Sequence, residues 1–459
     1  MDINSCFEHL NVGLPEDILR YKLKGDFANA IRMIDKRLGE GTADPALAAC
    51  LRAEREMILR TPRDFPYTKE QAMEIIHKDI PDFTEEEFEA RVDNGTVRWI
   101  FIDGEPHYFR RFYPTLIKTE PAFARRAGKI PGTTAAQAGA ENPLNRCMHI
   151  MKEQGSMACR MRIRASVKMD DERFKPGMQV LAHLPIPADC EQQSEIVIEK
   201  MEPANGHIDP ADAAARTVWW SECMQENHEF AVEYSYVHRE VWHGENYRGT
   251  PDPDAGKYLC EQAPHILFTP YLKNLAAAIT EGITEPMEKA RAIFDFITTK
   301  MKYTFMPEYF TMENIAENCA RSRTGDCGVF ALLFITLCRI CGIPACWQSG
   351  LDAEPDEVGC HDWARFYVEP YGWLLADPSY GVSSHRVGDE ERRQFYFGNL
   401  EPWRMVANRE FQAAFQKEKQ GWRADPYDNQ SGEMEADGIG LSFAELDCNQ
   451  EMLSYEEIE

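Results

Sequence analysis

Between Val329 and Ile340 nearly every residue is apolar, and Val329, Phe330, Leu332, Leu333, Ile335, Leu337 and Ile340 leave almost no polar face. At the 3.6-residue period of an α-helix, such a segment is stable only when other layers enclose it. The stretch therefore predicts a buried central helix, ended by Gly342 and Pro344. Directly before it stands Arg323-Thr324-Gly325-Asp326-Cys327-Gly328, a glycine-flanked turn that delivers Cys327 to the helix start. At that position the early backbone N–H groups and the positive end of the helix dipole favour a thiolate, the nucleophilic form of the side chain. A buried helix also holds its first residue rigidly.

Two further residues give this thiol a chemical context. His361, in His361-Asp362-Trp363, follows Cys327 by 34 residues, and Asp377, in Ala376-Asp377-Pro378, follows His361 by 16. Nucleophile, base and orienting carboxylate thus occur in one chain order, each at an element boundary. From His361 to Val368 the pattern predicts a strand, with Pro370-Tyr371-Gly372 as a three-residue hairpin loop and Trp373 to Asp377 returning. An odd loop sets His361 and Asp377 on one face. In the simplest register, however, Asp377 stands opposite Arg365, and His361 is displaced along the strand, so that contact requires a bulge or strong twist. Taken singly, a buried Cys is inert, a His is structural and Asp-Pro is a turn; only the ordered set points to chemistry.

At Gly325-Asp326-Cys327-Gly328, Cys341-Gly342-Ile343-Pro344-Ala345, His361-Asp362-Trp363 and Gly372-Trp373-Leu374-Leu375-Ala376-Asp377-Pro378 the chain resembles the transglutaminase-like superfamily, whose core shares a papain-type Cys, His and Asp arrangement. Pro286 to Phe296 and Tyr303 also resemble the approach to that core. The likeness covers about residues 266 to 400 and implies a multidomain, bacterial-type cytosolic member. It implies that Cys327 attacks an amide or ester carbonyl to form a thioester, with His361 moving the proton and Asp377 orienting the ring. The substrate class that it implies is a peptide or protein amide, with hydrolysis, amidase action and transamidation all open. The Cys327 N–H is a natural oxyanion donor, and Tyr303 is carried over as the candidate second donor. Asp326 and Trp363 are candidate cleft-lining residues, Trp363 standing on the strand face of His361. The competing class is a noncatalytic binding scaffold that keeps the same fold.

The rest of the chain bounds these readings. Its 459 residues, 44% of them hydrophobic, suggest about three domains. The expected fold class is α+β. Residues 1–130 read as mainly helical with a β-hairpin around Asp103-Gly104, and Gly128 to Asn142 as a linker. Residues 145–260 read as a β-sandwich, because Cys159, Met161, Ile163, Ala165 and Val167 alternate with Arg160, Arg162, Arg164, Ser166 and Lys168. Residues 266–405 are the expected catalytic core. Residues 406–459 read as an acidic tail: from Ala424 onward eleven Asp or Glu and no Lys or Arg predict a solvated segment. A net charge of −26 argues against nucleic-acid and acidic-membrane partners. The most basic stretch, Arg110, Arg111, Lys118, Arg125, Arg126 and Lys129, is interspersed with acids and predicts internal pairing or a solvated face. The opening Met1 to Cys6 lacks a basic region followed by an apolar run, and no segment approaches membrane-spanning length, so a cytoplasmic location is expected. Fourteen cysteines then read as reduced thiols. Cys338 and Cys341 make a lone C-x2-C without a second ligand pair, so neither metal nor cofactor is expected. Oligomeric state is open.

Overall fold

The computed structural model describes residues 3–41, 44–129 and 142–458. Two compact units interleave in sequence, one formed by Met1–Glu141, Gln262–Leu267 and Met301–Asp326, the other by Asn142–Glu261, Phe268–Lys300 and Cys327–Glu459. Most of the stretch read as a linker, residues 130–141, lies outside the described residues.

In the first unit, helices Glu16–Leu23, Phe27–Gly39 and Pro45–Asp64 enclose Ile18, Ala30, Ile34, Leu51 and Ile58. Helix Glu85–Asp93 begins with a reciprocal cap: the Thr84 hydroxyl accepts from Glu87 N, and the Glu87 carboxylate accepts from Thr84 N. Strands Trp99–Ile102 and Glu105–Tyr108 pair with Ile102 opposite Glu105, and Asp103 and Gly104 turn between them at φ 50° and 86°. Positive φ at both central residues is what a two-residue hairpin requires. The basic stretch is paired internally: Arg110 bonds Asp64 at 2.8 Å, Arg126 bonds Glu87 at 2.6 Å and Lys129 bonds Asp79 at 2.5 Å. Residues 301–326 join this unit through a parallel pairing of Lys302–Tyr303 with Thr324–Gly325. Arg98 donates to the hydroxyls of Thr304 and Thr324 and fastens that pairing.

In the second unit, Leu446–Ile458, Ser156–Met169, Phe230–Val241 and Gln193–Glu202 form one antiparallel sheet in that order. Ile439–Gly440, Glu433–Ala436, Met178–Pro185, Thr217–Met224 and His207–Ile208 form a second. Cys159, Met161, Ile163 and Val167 are fully buried, as their alternation predicts. The solvated acidic tail is a correction. Leu446–Ile458 pairs along most of Ser156–Met169, setting Glu456 opposite Arg160, Glu451 opposite Arg164 and Asp447 opposite Lys168. The acids stand opposite the basic alternate positions in register, a long-range placement that a local charge count misses, while Arg160, Arg164 and Lys168 form ion pairs with Glu195, Glu229 and Asp171. Upstream, Glu433 is buried between Lys419 at 2.8 Å and Arg423 at 2.9 Å. Burial opposes its ionisation, but Arg423 and Lys419 prevail and hold its carboxyl at about 2.

The third sheet is antiparallel, in the order Phe397–Gly398, Gly372–Ala376, Glu357–Val368, Ala345–Glu354, Arg404–Asn408. Against it lies helix Cys327–Ile340, buried from Gly328 to Arg339. Phe334 meets Phe366 of the sheet at 5.6 Å and Phe294 of helix Pro286–Lys300 at 6.5 Å, so the apolar helix is enclosed from two sides by this contact alone. Gly342 at φ 79° ends it, and Ile343 N donates to Cys338 O at 2.9 Å.

Candidate active site

The hairpin register decides which groups meet. Val368 pairs with Gly372, and Arg365 consequently faces Leu375, so the expected opposition of Asp377 and Arg365 is corrected. Arg365 bonds Glu191 at 2.9 Å instead. Pairing ends at Ala364 with Ala376, which leaves Asp377 just past the strand as N-cap of helix Pro378–Val387, its Oδ1 accepting from Tyr380 N at 2.9 Å. Continued by one residue, that register sets Asp377 across from Trp363 and diagonal to His361. Diagonal neighbours lie about 7–8 Å apart at Cα, within reach of an imidazole and a carboxylate. No bulge is needed, and Asp377 Oδ2 stands 2.6 Å from His361 Nε2.

The pair is buried, His361 being 6% exposed and Asp377 0%. Trp363 lies near-parallel to the His361 ring at 6.2 Å and donates its Nε1 to Gln348 Oε1, so it covers the imidazole. Tyr380 meets the ring edge-on at 5.2 Å. Asp377 also faces Arg404, fully buried, with Nη2 3.1 Å from Oδ2. That contact is an ion pair without hydrogen-bond alignment, whereas Arg404 Nε donates to Glu401 Oε1 at 2.5 Å. Burial works against the Asp377 carboxylate; the His361 ring, its hydrogen bond and Arg404 outweigh it and hold the carboxyl below its ordinary value. His361 Nδ1 makes no hydrogen bond among the described residues, leaving the nitrogen opposite the Asp377 contact for proton transfer.

Cys327 opens its helix as anticipated, and its sulfur donates to Asp362 Oδ2 at 3.1 Å, the residue after His361 on the same strand. Consecutive strand residues point to opposite faces, so Asp362 and the His361–Asp377 pair occupy different sides of the strand. Residues 361–363 precede the pairing with Gly372–Ala376. Asp362 Oδ1 accepts from Gln430 Nε2, which also donates to His361 O at 2.9 Å. The Asp362 and Asp428 carboxyls are hydrogen-bonded, and Ser349 Oγ donates to Asp428 Oδ1 at 2.6 Å. Burial pushes Asp428 above its ordinary range, against the lowering effect of its hydrogen bonds with Ser349 and Asp362. A helix N-terminus favours a thiolate by about 0.3–1 kcal/mol. A carboxylate near 4 Å at an effective dielectric of about 20 opposes it by about 4 kcal/mol.

Tyr303 and Asp326 lie in the first unit. Tyr303 is 9% exposed, packed edge-on against Phe305 at 5.7 Å with Lys118 Nζ 4.6 Å from its ring centre, and its backbone pairs with Gly325. Asp326 accepts from the Tyr309 hydroxyl at 2.5 Å. Cys338 is fully buried and Cys346 nearly so, burial pushing the latter up to about 12. Among the described residues no group of three His, Cys, Asp or Glu side chains has metal-holding geometry. No described helix is long and apolar enough to cross a membrane. Sequence reasoning missed Arg404, Gln430 and Asp428. A lone arginine in the apolar run Trp403-Arg404-Met405-Val406-Ala407 is a usable signal, since a buried charge demands a partner. Gln430 and Asp428 sit in polar sequence and give none.

Residues 273–378 match the family model of the transglutaminase-like superfamily. The chain is thus α+β with a transglutaminase-like core. No curated protein matches it in sequence. Among solved structures it is similar to a cysteine protease candidate from Cytophaga hutchinsonii, at 15% identity and TM-score 0.42, covering 65% of this chain and 91% of that one. It is also similar to the periplasmic domain of TgpA from Pseudomonas aeruginosa, at 15% identity and TM-score 0.28, covering 51% and 91%.

Proposed function

We propose that the second unit carries a thiol acyl-transfer site acting on amide bonds of peptides or proteins. The observation that carries this reading is the buried 2.6 Å contact between His361 Nε2 and Asp377, on the strand whose next residue holds the Cys327 sulfur. Cys327 is the nucleophile. His361 Nδ1 takes the thiol proton when the sulfur turns from Asp362 toward the ring, and Asp377 fixes the ring and stabilises its charged form. Attack on the carbonyl carbon forms the S–C bond; collapse of the tetrahedral intermediate breaks C–N, and His361 protonates the departing amine. Water or a second amine, deprotonated by His361, then resolves the thioester into acid or new amide. The Cys327 N–H, at the helix start, is a donor for the oxyanion.

Intact-mass analysis after exposure to an electrophilic peptidyl acyl probe tests this. One adduct is expected on the wild-type chain, with none on Cys327→Ala and little on His361→Ala. Equal labelling of wild type and Cys327→Ala would remove the thiol site. The noncatalytic scaffold reading draws on one observation, that the sulfur's hydrogen bond runs to a carboxylate rather than to the imidazole. A chain without any adduct supports it.

A further inference from the structure

Tyr380 takes no part in the proton transfers above, yet it touches both groups that face the Asp377 carboxylate, His361 and Arg404. In Asp377-Pro378-Ser379-Tyr380 it is the third residue of the helix that Asp377 caps, so its N–H is the natural donor to the cap and meets Asp377 Oδ1 at 2.9 Å. Helical side chains lean toward the N-terminus, which carries the Tyr380 ring back toward Asp377 and the strand of His361. There it meets the His361 ring edge-on at 5.2 Å, the Tyr396 ring at 5.0 Å and the Arg404 guanidinium 4.9 Å from its centre. Its hydroxyl reaches strand Ala345–Glu354, where it donates to Asp352 Oδ2 and lies 3.2 Å from Glu354 Oε1. Burial, with Asp352, holds the phenol well above its ordinary value, so it remains a donor. The acceptor is mounted rigidly: Asp352 stands opposite Gly359 on one neighbouring strand and Arg404 on the other, two residues from Gly350, which faces His361.

We propose that Tyr380 is a positioning residue for His361, and that its hydroxyl, anchored on Asp352 and Glu354, fixes the ring that keeps the imidazole aligned on Asp377. Aromatic edges and faces slide past one another over a broad range of geometries, whereas a hydrogen bond to a carboxylate sets both distance and direction. Without the hydroxyl, the ring contacts and the Asp377 cap persist, but no directional contact ties the ring to strand Ala345–Glu354. The imidazole then loses a fixed edge contact beside Asp377, and Nδ1 loses its constant aim. The catalytic meaning of this role rests on the acyl-transfer reading; the alignment of His361 on Asp377 does not.

Two measurements on Tyr380→Phe test this, since the variant keeps the ring and the backbone N–H and removes only the hydroxyl. With the peptidyl acyl probe, the maximal labelling rate of Cys327 should fall about ten- to a hundredfold. The half-saturating probe concentration should stay within about twofold, the split expected when alignment rather than binding is lost. In the proton NMR spectrum, the low-field ring N–H resonance of His361 bound to Asp377, assigned by its absence in His361→Ala, should broaden or move upfield. An unchanged maximal rate or an unmoved resonance overturns the proposal; a merely structural tyrosine would lower the melting temperature alone. A wild-type chain without that resonance also overturns it. Should Tyr380→Phe fail to fold, Asp352→Ala, which removes the acceptor and leaves Tyr380 in place, must give the same two changes. If the probe forms no adduct on the wild type, the acyl-transfer reading falls, and the resonance alone decides the positioning role. An adduct on Cys327 with rate and resonance unaltered in the variant gives the reverse.

Discussion

Replacing Asp377 by Asn should damage stability and reactivity together, because one carboxylate serves both His361 and Arg404. Removing one partner of a buried ion pair costs about 3–5 kcal/mol. Asn keeps the side-chain volume, can accept from Tyr380 N, and leaves Arg404 its 2.5 Å bond to Glu401. The low end, about 3 kcal/mol, is therefore expected. At about 2.1 cal/mol/K per residue, a unit of nearly 290 residues should lose about 5 °C in the transition that contains it. The sign with pH follows from the depressed Asp377 carboxyl. Its stabilisation is complete above the unfolded value of about 3.9 and is lost as pH falls through the lower folded value. The gap between wild type and variant should accordingly be constant from pH 7 to about 5 and close toward pH 3. Scanning calorimetry across that range, with acyl-probe labelling at neutral pH on the same samples, measures both effects. Labelling should fall by about two to four orders of magnitude. A stability gap that persists undiminished at pH 3 would refute the ion-pair argument, and undiminished labelling would remove Asp377 from the site.

Other outcomes follow from the same contacts. Glu433→Gln should lose about 3–5 kcal/mol at pH 7 by stranding Lys419 and Arg423; the loss relative to wild type, read by denaturant titration, should shrink as pH falls below about 4 toward the folded value of about 2. Deleting residues 446–458 uncovers strand Ser156–Met169, so the truncated chain should unfold early or aggregate, whereas a dispensable tail would leave the melting curve unchanged. Gly350 stands opposite His361, and an added Cβ would lie 1.9 Å from Met405 O; Gly350→Ala should displace the Arg404 strand, costing at least about 1–3 kcal/mol and lowering probe labelling. Thr84→Ala should cost about 1 kcal/mol through loss of its cap alone, with no change in labelling.

The sequence by itself determined whatever depends on local pattern. Enclosure of the Cys327 helix was legible because an apolar segment with no polar face has nowhere else to go. The Thr84 cap, the Asp103-Gly104 turn and the inward face of Ser156–Met169 were legible because each is written within a few residues. The family resemblance was legible because its four motifs are short and ordered. Tertiary structure alone decided the partners. A two-residue difference in hairpin pairing moved Arg365 from Asp377 to Glu191 and gave Asp377 to His361 and Arg404. A final strand turned an apparent acidic tail into the sheet neighbour of a basic strand nearly three hundred residues earlier. The Cys327 sulfur met Asp362 because strand alternation and a distant C-terminal segment set that carboxyl in place. Hydrophobic periodicity is a property of neighbours along the chain and can be read from them; charge pairing and hydrogen bonding depend on approach between distant segments, which only the folded register fixes.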